Sequence, residues 1–373
     1  MRRAVIVGAG VAGLTTALRL GRDGWDTVVV ERAPARRTGG YVVNLIGPGY
    51  DAAERLGLLP ALEARSVGPF TSVLVHPDGR PKLTVPAALT EIGRSVSVFR
   101  GDLEAVLHEA VRDHTDLRFG TTVEAGEGPE AVLSDGTTLA ADLLVGADGV
   151  RSATRAAVFG DGHQVDLPYV IAAFPVADSA PHPQATTFIG PGRTAALIDL
   201  GPGRACAFFA YRCETPLEAL RRGPVDALTE AFGDLGGGIP DALRHLGRDP
   251  AGAYFDAVSQ VVMPRWSSGR TVLLGDAAWC VTVFAGHGAG LALAGADRLG
   301  TALREHGTDV TQALAQWETG LRPAVVRRQA QARRGMLQYA PPTRFHVWLG
   351  DLMIRAVTLP GVRGLVRRAA ART

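Results

Sequence analysis

Two glycine-rich stretches carry the residues best suited to chemistry. The first, Gly8-Ala9-Gly10-Val11-Ala12-Gly13, follows the apolar run "RAVIV" and precedes a helical pattern, and Glu31 ends the next apolar run, "TVVVE". In that setting the first glycine permits a tight turn, the second lets a pyrophosphate approach the backbone, and the third lets helix and strand pack closely. Val11 and Ala12 lie within the same loop, and Glu31, with Arg32 beside it, can accept from ribose hydroxyls. A glycine-rich turn without a ligand would not need the acid at the end of the second strand. The motif alone does not separate FAD from NAD.

The second stretch, "GDAAWCVTVFAGHGAGLALAGA", runs from Gly275 to Ala296. It is too broken for a membrane span, because Asp276 and His287 would both sit in hydrocarbon and its glycines weaken any helix before Leu291. The pattern predicts a strand, "TVLL", ending at Gly275, a loop to about Gly288, and a helix of small residues from there to about Glu305. A loop feeding a helix N-terminus is a ready receiver of negative charge.

These stretches need a scaffold of alternating strands and helices. Arg3 to Glu31 reads as a β-α-β unit, with Leu14, Ala17, Leu18 and Gly21 at helical spacing and Gly24 ending the helix. "SVFRGDLEAVLHEAVRDH" is an amphipathic helix with Leu103, Val106, Leu107, Ala110 and Val111 inward. From about 165 to 265 the texture changes to hairpin signals, and "TTFIGPGRTAALIDLGPGRACAFFAYRC" predicts a three-stranded antiparallel meander. The segment from Gly286 to Thr373 reads as helical with a proline break at "YAPPTR". No repeat and no low-complexity linker intervenes, so two domains are expected to be interleaved. We assign residues 1–70, 99–164 and 269–330 to a dinucleotide-binding domain in three parts, 71–98 and 165–268 to an inserted sheet domain, and 331–373 to C-terminal helices.

The 39 basic and 37 acidic residues nearly cancel over 373 residues, which disfavours nucleic acid or an acidic membrane as the partner of the whole molecule. Cys206, Cys213 and Cys280 are an odd number without a C-x-x-C pair, so neither a disulfide framework nor a zinc site is expected, and the cytoplasm is the expected location. The chain starts with two arginines and an apolar run, but Gly8, Gly10 and Gly13 interrupt it and no cleavage site follows. At the other end, Arg355, Arg363, Arg367, Arg368 and Arg372 stand beside apolar residues. A membrane-surface helix is one reading; the basic outer face of a packed terminal helix is the one favoured by Pro360, Gly361 and Gly364, which break the amphipathic run.

"LLVGADGVRSATR" (Leu143 to Arg155) and "RTVLLGDAAW" (Arg270 to Trp279) resemble the second and third fingerprints of the class A FAD-dependent monooxygenases, the family of para-hydroxybenzoate hydroxylase and the tetracycline-inactivating monooxygenases. The resemblance extends over nearly the whole chain and includes "FRGDLEAVL" and "WETGLRPAVVRRQ". It implies an α/β fold: a Rossmann-like three-layer FAD-binding domain with an inserted antiparallel β-sheet substrate domain and C-terminal helices. By the same resemblance Gly8 to Gly13 and Glu31 hold the ADP half of FAD, Arg100 contacts the cofactor near its phosphates, and Asp276, after Gly275, binds the ribityl chain. Gly286, Gly288, Ala289 and Gly290 approach the flavin pyrimidine, where a helix N-terminus stabilises the negative charge of a reduced flavin. Asp148 and Arg151 belong to the fingerprint linked to FAD and nicotinamide binding. For Asp276 a helix-capping role is the alternative.

Many members of the family have His, Pro and Asn where this chain has Trp279, Val283 and Gly290, so the wall facing the reactive edge of the flavin is expected to differ. The inserted sheet is expected to roof the flavin. Alternation puts Phe209, Tyr211 and Cys213 on one face and Phe208, Ala210 and Arg212 on the other, and does not say which looks in. Phe209, Tyr211, Arg212 and Asn44 are the candidates for the substrate pocket; no residue is assigned as acid or base, and His287 is given no proton. The resemblance implies a monooxygenase that takes NADPH or NADH as reductant, O2 and a small electron-rich substrate, aromatic, enolic or polyketide-like, and works through a flavin C4a-hydroperoxide, as a monomer or homodimer. A non-oxygenating cyclase or reductase on the same scaffold is the rival. A halogenase would need a Trp-x-Trp-x-Ile-Pro pattern that is absent, and a plain NAD dehydrogenase leaves two fingerprints unexplained.

Overall fold

A computed structural model describes residues 1–36, 40–87, 94–125, 130–177, 184–201 and 203–358. The β-α-β unit is β1 (Arg3–Val7), α1 (Val11–Arg22) and β2 (Asp26–Glu31), with the strands paired in parallel. Next come β3 (Val42–Ile46), α2 (Pro48–Arg55), α3 (Leu59–Glu63), β4 (Thr71–Val75), β5 (Pro81–Val85) and β6 (Ser95–Phe99). After them lie α4 (Arg100–Val111), β7 (Asp116–Phe119), β8 (Val123–Ala125), β9 (Glu130–Leu133), β10 (Thr138–Ala140), β11 (Leu143–Gly146) and α5 (Ala153–Phe159).

The second half opens with the long β12 (Gln164–Pro175) and the meander β13 (Gln184–Gly190), β14 (Arg193–Asp199) and β15 (Ala205–Arg212). Three short helices, α6 (Pro216–Arg222), α7 (Pro224–Phe232) and α8 (Ile239–Arg248), lead to β16 (Tyr254–Val261), β17 (Ser267–Ser268) and β18 (Thr271–Leu273). The chain then forms α9 (Asp276–Trp279), α10 (Gly288–Glu305), α11 (Val310–Tyr339) and α12 (Arg344–Thr358).

Four sheets result. The central one has the order β17-β18-β11-β1-β2-β7, parallel apart from β17. Its inner strands β18, β11, β1 and β2 are buried on both faces, as their apolar runs require. Ala4, Ile6, Val29 and Val145 face α1, α4 and α10, while Val5, Val7, Val28 and Val30 face the β8-β9-β10 meander through Ala131, Leu133 and Leu139. This is a three-layer arrangement of helices, parallel sheet and small sheet. Arg19, buried on α1, is held by Asp297 of α10, which Arg55 also reaches, so a charged cluster clamps the first helix to the helix that begins at the second glycine stretch.

The large sheet, β16-β12-β15-β14-β13-β4-β5, contains the expected meander but is not antiparallel throughout, because β4 pairs with β13 in parallel. Strand β6 leaves that sheet and pairs with β3. Helices α6 to α8 cover one face of the large sheet around Phe209, Phe232 and Leu228.

Pro360, Gly361 and Gly364, on which the packed reading of the basic terminal segment rests, lie outside the described residues, and the helix that precedes them, α12, ends at Thr358. Val347, Gly350, Asp351 and Ile354 are its less exposed positions, and the opposite stripe of Phe345, Trp348, Leu349, Leu352 and Met353 is exposed. Arg363, Arg367, Arg368 and Arg372 lie outside the described residues. Among the described residues, no helix is long and apolar enough to cross a membrane.

Candidate active site

The two glycine stretches meet at one cleft. A Cβ on Gly13 would stand 1.8 Å from the Gly8 carbonyl oxygen, and one on Gly8, whose φ is +106°, would stand 2.5 Å from the Ala147 carbonyl. Both glycines are therefore dictated by backbone contact. Gly10 differs, since a Cβ there would meet nothing within 4 Å; the space in front of it is open to a ligand. Glu31 accepts from the backbone N–H groups of Ala9 (2.9 Å) and Ala33 (2.8 Å), which sets its carboxylate beside the loop. Arg32 is exposed next to it. Val11 and Ala12 are buried in the first turn of α1, whose free N–H groups face this opening.

The second stretch abuts the first. Gly275, in the left-handed region with φ +68°, would place a Cβ 2.7 Å from Ala12 Cβ, and a Cβ on Gly288 would lie 3.9 Å from the Asp276 carboxylate. The helix after the loop begins at Gly288, with Ala289 and Gly290 in its first turn. Gly290 packs against Gly49 of α2, where a Cβ on Gly49 would meet Gly290 Cα at 2.4 Å, so this glycine also serves helix packing. Gly286 is exposed at φ +63°. His287 occupies the N-cap position, its Nδ1 against the Ala285 carbonyl, and burial lowers its pKa so that the ring is neutral at pH 7. Thr282 holds φ +85° and ψ 153° with a buried, unpartnered hydroxyl, a conformation otherwise left to glycine, directly ahead of this turn.

Asp276 is not the N-cap of α9, since Gly275 takes that position and Asp276 lies in the first turn. Its carboxylate is reached by solvent yet surrounded by protein, which describes a group on the floor of a deep cleft. Burial raises its pKa and Arg100 opposes the rise. Arg100 opens α4, is paired with Glu104 at 3.0 Å, and lies within electrostatic reach of Tyr41, Asp276 and Tyr254. It therefore stands at the Asp276 end of the cleft. Burial also raises the hydroxyl pKa values of Tyr41 and Tyr254, keeping both protonated.

Asp148 spends its carboxylate on the start of α5, accepting from Ser152 Oγ, Thr154 N and Thr154 Oγ1. Arg151 pairs with Asp256 of β16, and Arg155 donates to the Ala277 carbonyl at 3.0 Å, which ties the second fingerprint to the third. Trp279 lies in a cluster with Trp266 and Trp317, 1% exposed. Its indole faces core, so the departure from histidine there is a packing change. Val283 packs with Phe284.

The faces of β15 are resolved, and two candidates are corrected. Phe209 and Tyr211 point away from the cleft into the core under α6 to α8, where Phe209 stacks on Phe174 (5.7 Å) and meets Phe232 edge-on (4.8 Å), because that side needs apolar cover. Burial pushes the Tyr211 hydroxyl up to about 12. Arg212 is exposed and paired with Glu214 at the end of the strand. Asn44 accepts from Ser97 Oγ (2.6 Å) across the β3-β6 pair, which is a bond of that small sheet.

The inward residue is Phe208. Its ring lies 6.4 Å from Tyr41 and 6.4 Å from Tyr339; Tyr41 is 6.3 Å from Tyr254, and Tyr339 stacks on Phe284 at 5.0 Å. Tyr41, Tyr254, Tyr339, Phe284 and Glu104 went unnoticed in the sequence. Tyr41 sits in the same "GGYVVN" as Asn44; the others come from elements that only folding brings together. The Phe208 and Phe209 pair is a direct check. Phe209→Ala is expected to lower stability by about 3–5 kcal/mol, as for a filled core position, and Phe208→Ala by less than half of that, measured by denaturant unfolding. Equal losses would refute the facing of the strand.

A family model described as "FAD binding domain" matches residues 2–205. FAD-dependent monooxygenase asL4 of Sarocladium schorii is 27% identical, the alignment covering 96% of this chain and 92% of that protein. Among solved structures, the tetracycline destructase Tet(55) superposes with a TM-score of 0.82 at 25% identity over 96% of each chain. Klebsiella pneumoniae HpxO complexed with FAD and uric acid gives 0.77 at 25% identity over 95% of this chain and 93% of that one.

Proposed function

Because the chain belongs to the FAD-binding-domain family of class A flavoprotein monooxygenases, we propose that it hydroxylates a small, electron-rich metabolite, aromatic, enolic or polyketide-like, using O2 and NADPH or NADH in the cytoplasm. FAD, when bound, supplies hydride acceptance and oxygen activation. The open space at Gly10, the acid at Glu31 and the exposed carboxylate of Asp276 on the cleft floor fit such a group. Gly8 to Gly13 and Glu31 would hold its ADP half, Asp276 its ribityl hydroxyls, and the first turn of α10 its pyrimidine edge. Arg100, set near Asp276, would act on the middle of the cofactor.

The observation that carries the substrate reading is the aromatic lining of Phe208, Tyr41, Tyr254 and Tyr339 beside that floor. Such rings bind a planar substrate by stacking and keep water from the reacting carbon. Tyr41 and Tyr254 keep their hydroxyl protons at neutral pH, so they can donate to a phenolic or carbonyl oxygen. Arg100 stays charged, held by Glu104.

Holoenzyme given NADPH is expected to bleach faster in the presence of a suitable phenol. Under labelled molecular oxygen the product should carry one labelled atom, and labelled water should contribute none. Undiminished turnover without oxygen and NAD(P)H would make the protein a cyclase on this scaffold and overturn the proposal.

A further inference from the structure

We propose that α12 is a docking surface for the face of an anionic lipid bilayer. Phe345, Trp348, Leu349, Leu352 and Met353 recur at the spacing of one helix face, and all are exposed, Phe345 and Met353 at 63% and Trp348 at 57%. The ion pair of Lys82 on β5 with Asp351 fixes the rotation of the helix, and the same pair turns its one acid inward. Lys82 is the sole lysine of the chain. Phe345 and Trp348 stack on each other at 5.8 Å. A run of aromatic and aliphatic side chains on a helix lying against the protein is the form of an interfacial helix, which enters the headgroup region without spanning it.

Charge selects the occupant. From Arg344 to Thr373 the sequence holds six arginines and one acid, Asp351, which is the residue already paired with Lys82. Arg344 and Arg355 flank the stripe at its two ends. Anionic lipid meets both the apolar side chains and this charge. A second copy of the chain would bring two such basic segments together, and five side chains cover on the order of 500 Å², short of the roughly 800 Å² per partner of a stable interface.

The helix is also coupled to the cleft. Just before it, Thr194 Oγ1 donates to the Tyr339 carbonyl and the Gly192 N–H donates to the Pro341 carbonyl at 2.7 Å, which pins the α11–α12 connection to the β13–β14 hairpin. Tyr339 is one of the rings lining the aromatic wall. The bilayer would therefore sit beside the substrate domain.

The full-length, FAD-loaded protein should be sedimented with vesicles of phosphatidylglycerol mixed with phosphatidylcholine and, separately, with phosphatidylcholine alone. It is expected to bind the anionic vesicles and to leave them as salt is raised. Trp348 is the exposed tryptophan, the other four being buried, so its emission should shift to the blue on binding. Arg344→Glu and Arg355→Glu should each weaken binding at least fivefold, from about 1 kcal/mol per surface arginine. Leu352→Glu should abolish it while FAD content and the melting temperature stay unchanged. Absence of binding to anionic vesicles, binding unaffected by Leu352→Glu, or a concentration-dependent dimer that the same substitution dissolves would each overturn the proposal.

Discussion

Purified Gly10→Val protein is expected to be folded and colourless. A Cβ at this position meets no protein atom within 4 Å, and its backbone, φ −82° and ψ −173°, is extended, which any residue adopts. The substitution therefore leaves the packing of β1, α1 and β2 intact and costs at most about 1 kcal/mol at the start of the helix. It fills the space through which, at the proposed cofactor site, a pyrophosphate would approach the N–H groups of α1. Gly13→Val is the counterpart. There the added carbon falls 1.8 Å from the Gly8 carbonyl, so helix and loop must separate, and loss of the fold itself is expected. Flavin absorbance after incubation with excess FAD, with a thermal melt by circular dichroism, separates the two outcomes. Stoichiometric flavin in folded Gly10→Val would refute the cofactor site, and a normal melt for Gly13→Val would refute the close approach.

Asp276→Ala is expected to reverse the usual order of damage, weakening FAD and leaving the apoprotein as stable as before or more so. Burial raises the carboxyl pKa above its unfolded value, with Arg100 opposing. A group so shifted contributes most stability when protonated and loses that contribution as pH rises through the window between the unfolded and folded pKa values. Above that window the carboxylate contributes no such stability, and removing it gives up only its hydrogen bond with Cys280. Loss of hydrogen bonds from the ribityl hydroxyls to a charged acceptor, about 1.5–3 kcal/mol, weakens FAD roughly 10- to 100-fold. Flavin titration and apoprotein melts at pH 7 and pH 5 measure both. A lower apoprotein melting temperature with unchanged FAD affinity would return the residue to a structural role.

The β-α-β unit, the amphipathic helix at Arg100–Val111, the meander and the small-residue helix from Gly288 to Glu305 are all legible in the sequence. Each is specified by contacts within a few residues: periodic apolar side chains, glycines at turns, and a strand length set by local burial. The glycines differ in their surroundings, since Gly8 and Gly13 are required by neighbouring backbone while a Cβ on Gly10 would meet no protein atom within 4 Å.

What the sequence could not determine is which surface each element turns to its partners. Alternation divides Phe208 from Phe209, but only the arrival of α6 to α8 on one face and of Tyr41 and Tyr339 on the other decides that Phe209 is core and Phe208 lines the cleft. The same holds for Asp148, whose carboxylate is consumed by α5, and for Trp279, which meets Trp266 and Trp317. It holds again for α12, whose outward stripe depends on an ion pair with a strand more than 260 residues earlier, Lys82 to Asp351 being 269 positions apart. Local periodicity fixes a side chain's direction relative to its own backbone, whereas burial and charge pairing depend on long-range packing that no short window of sequence contains.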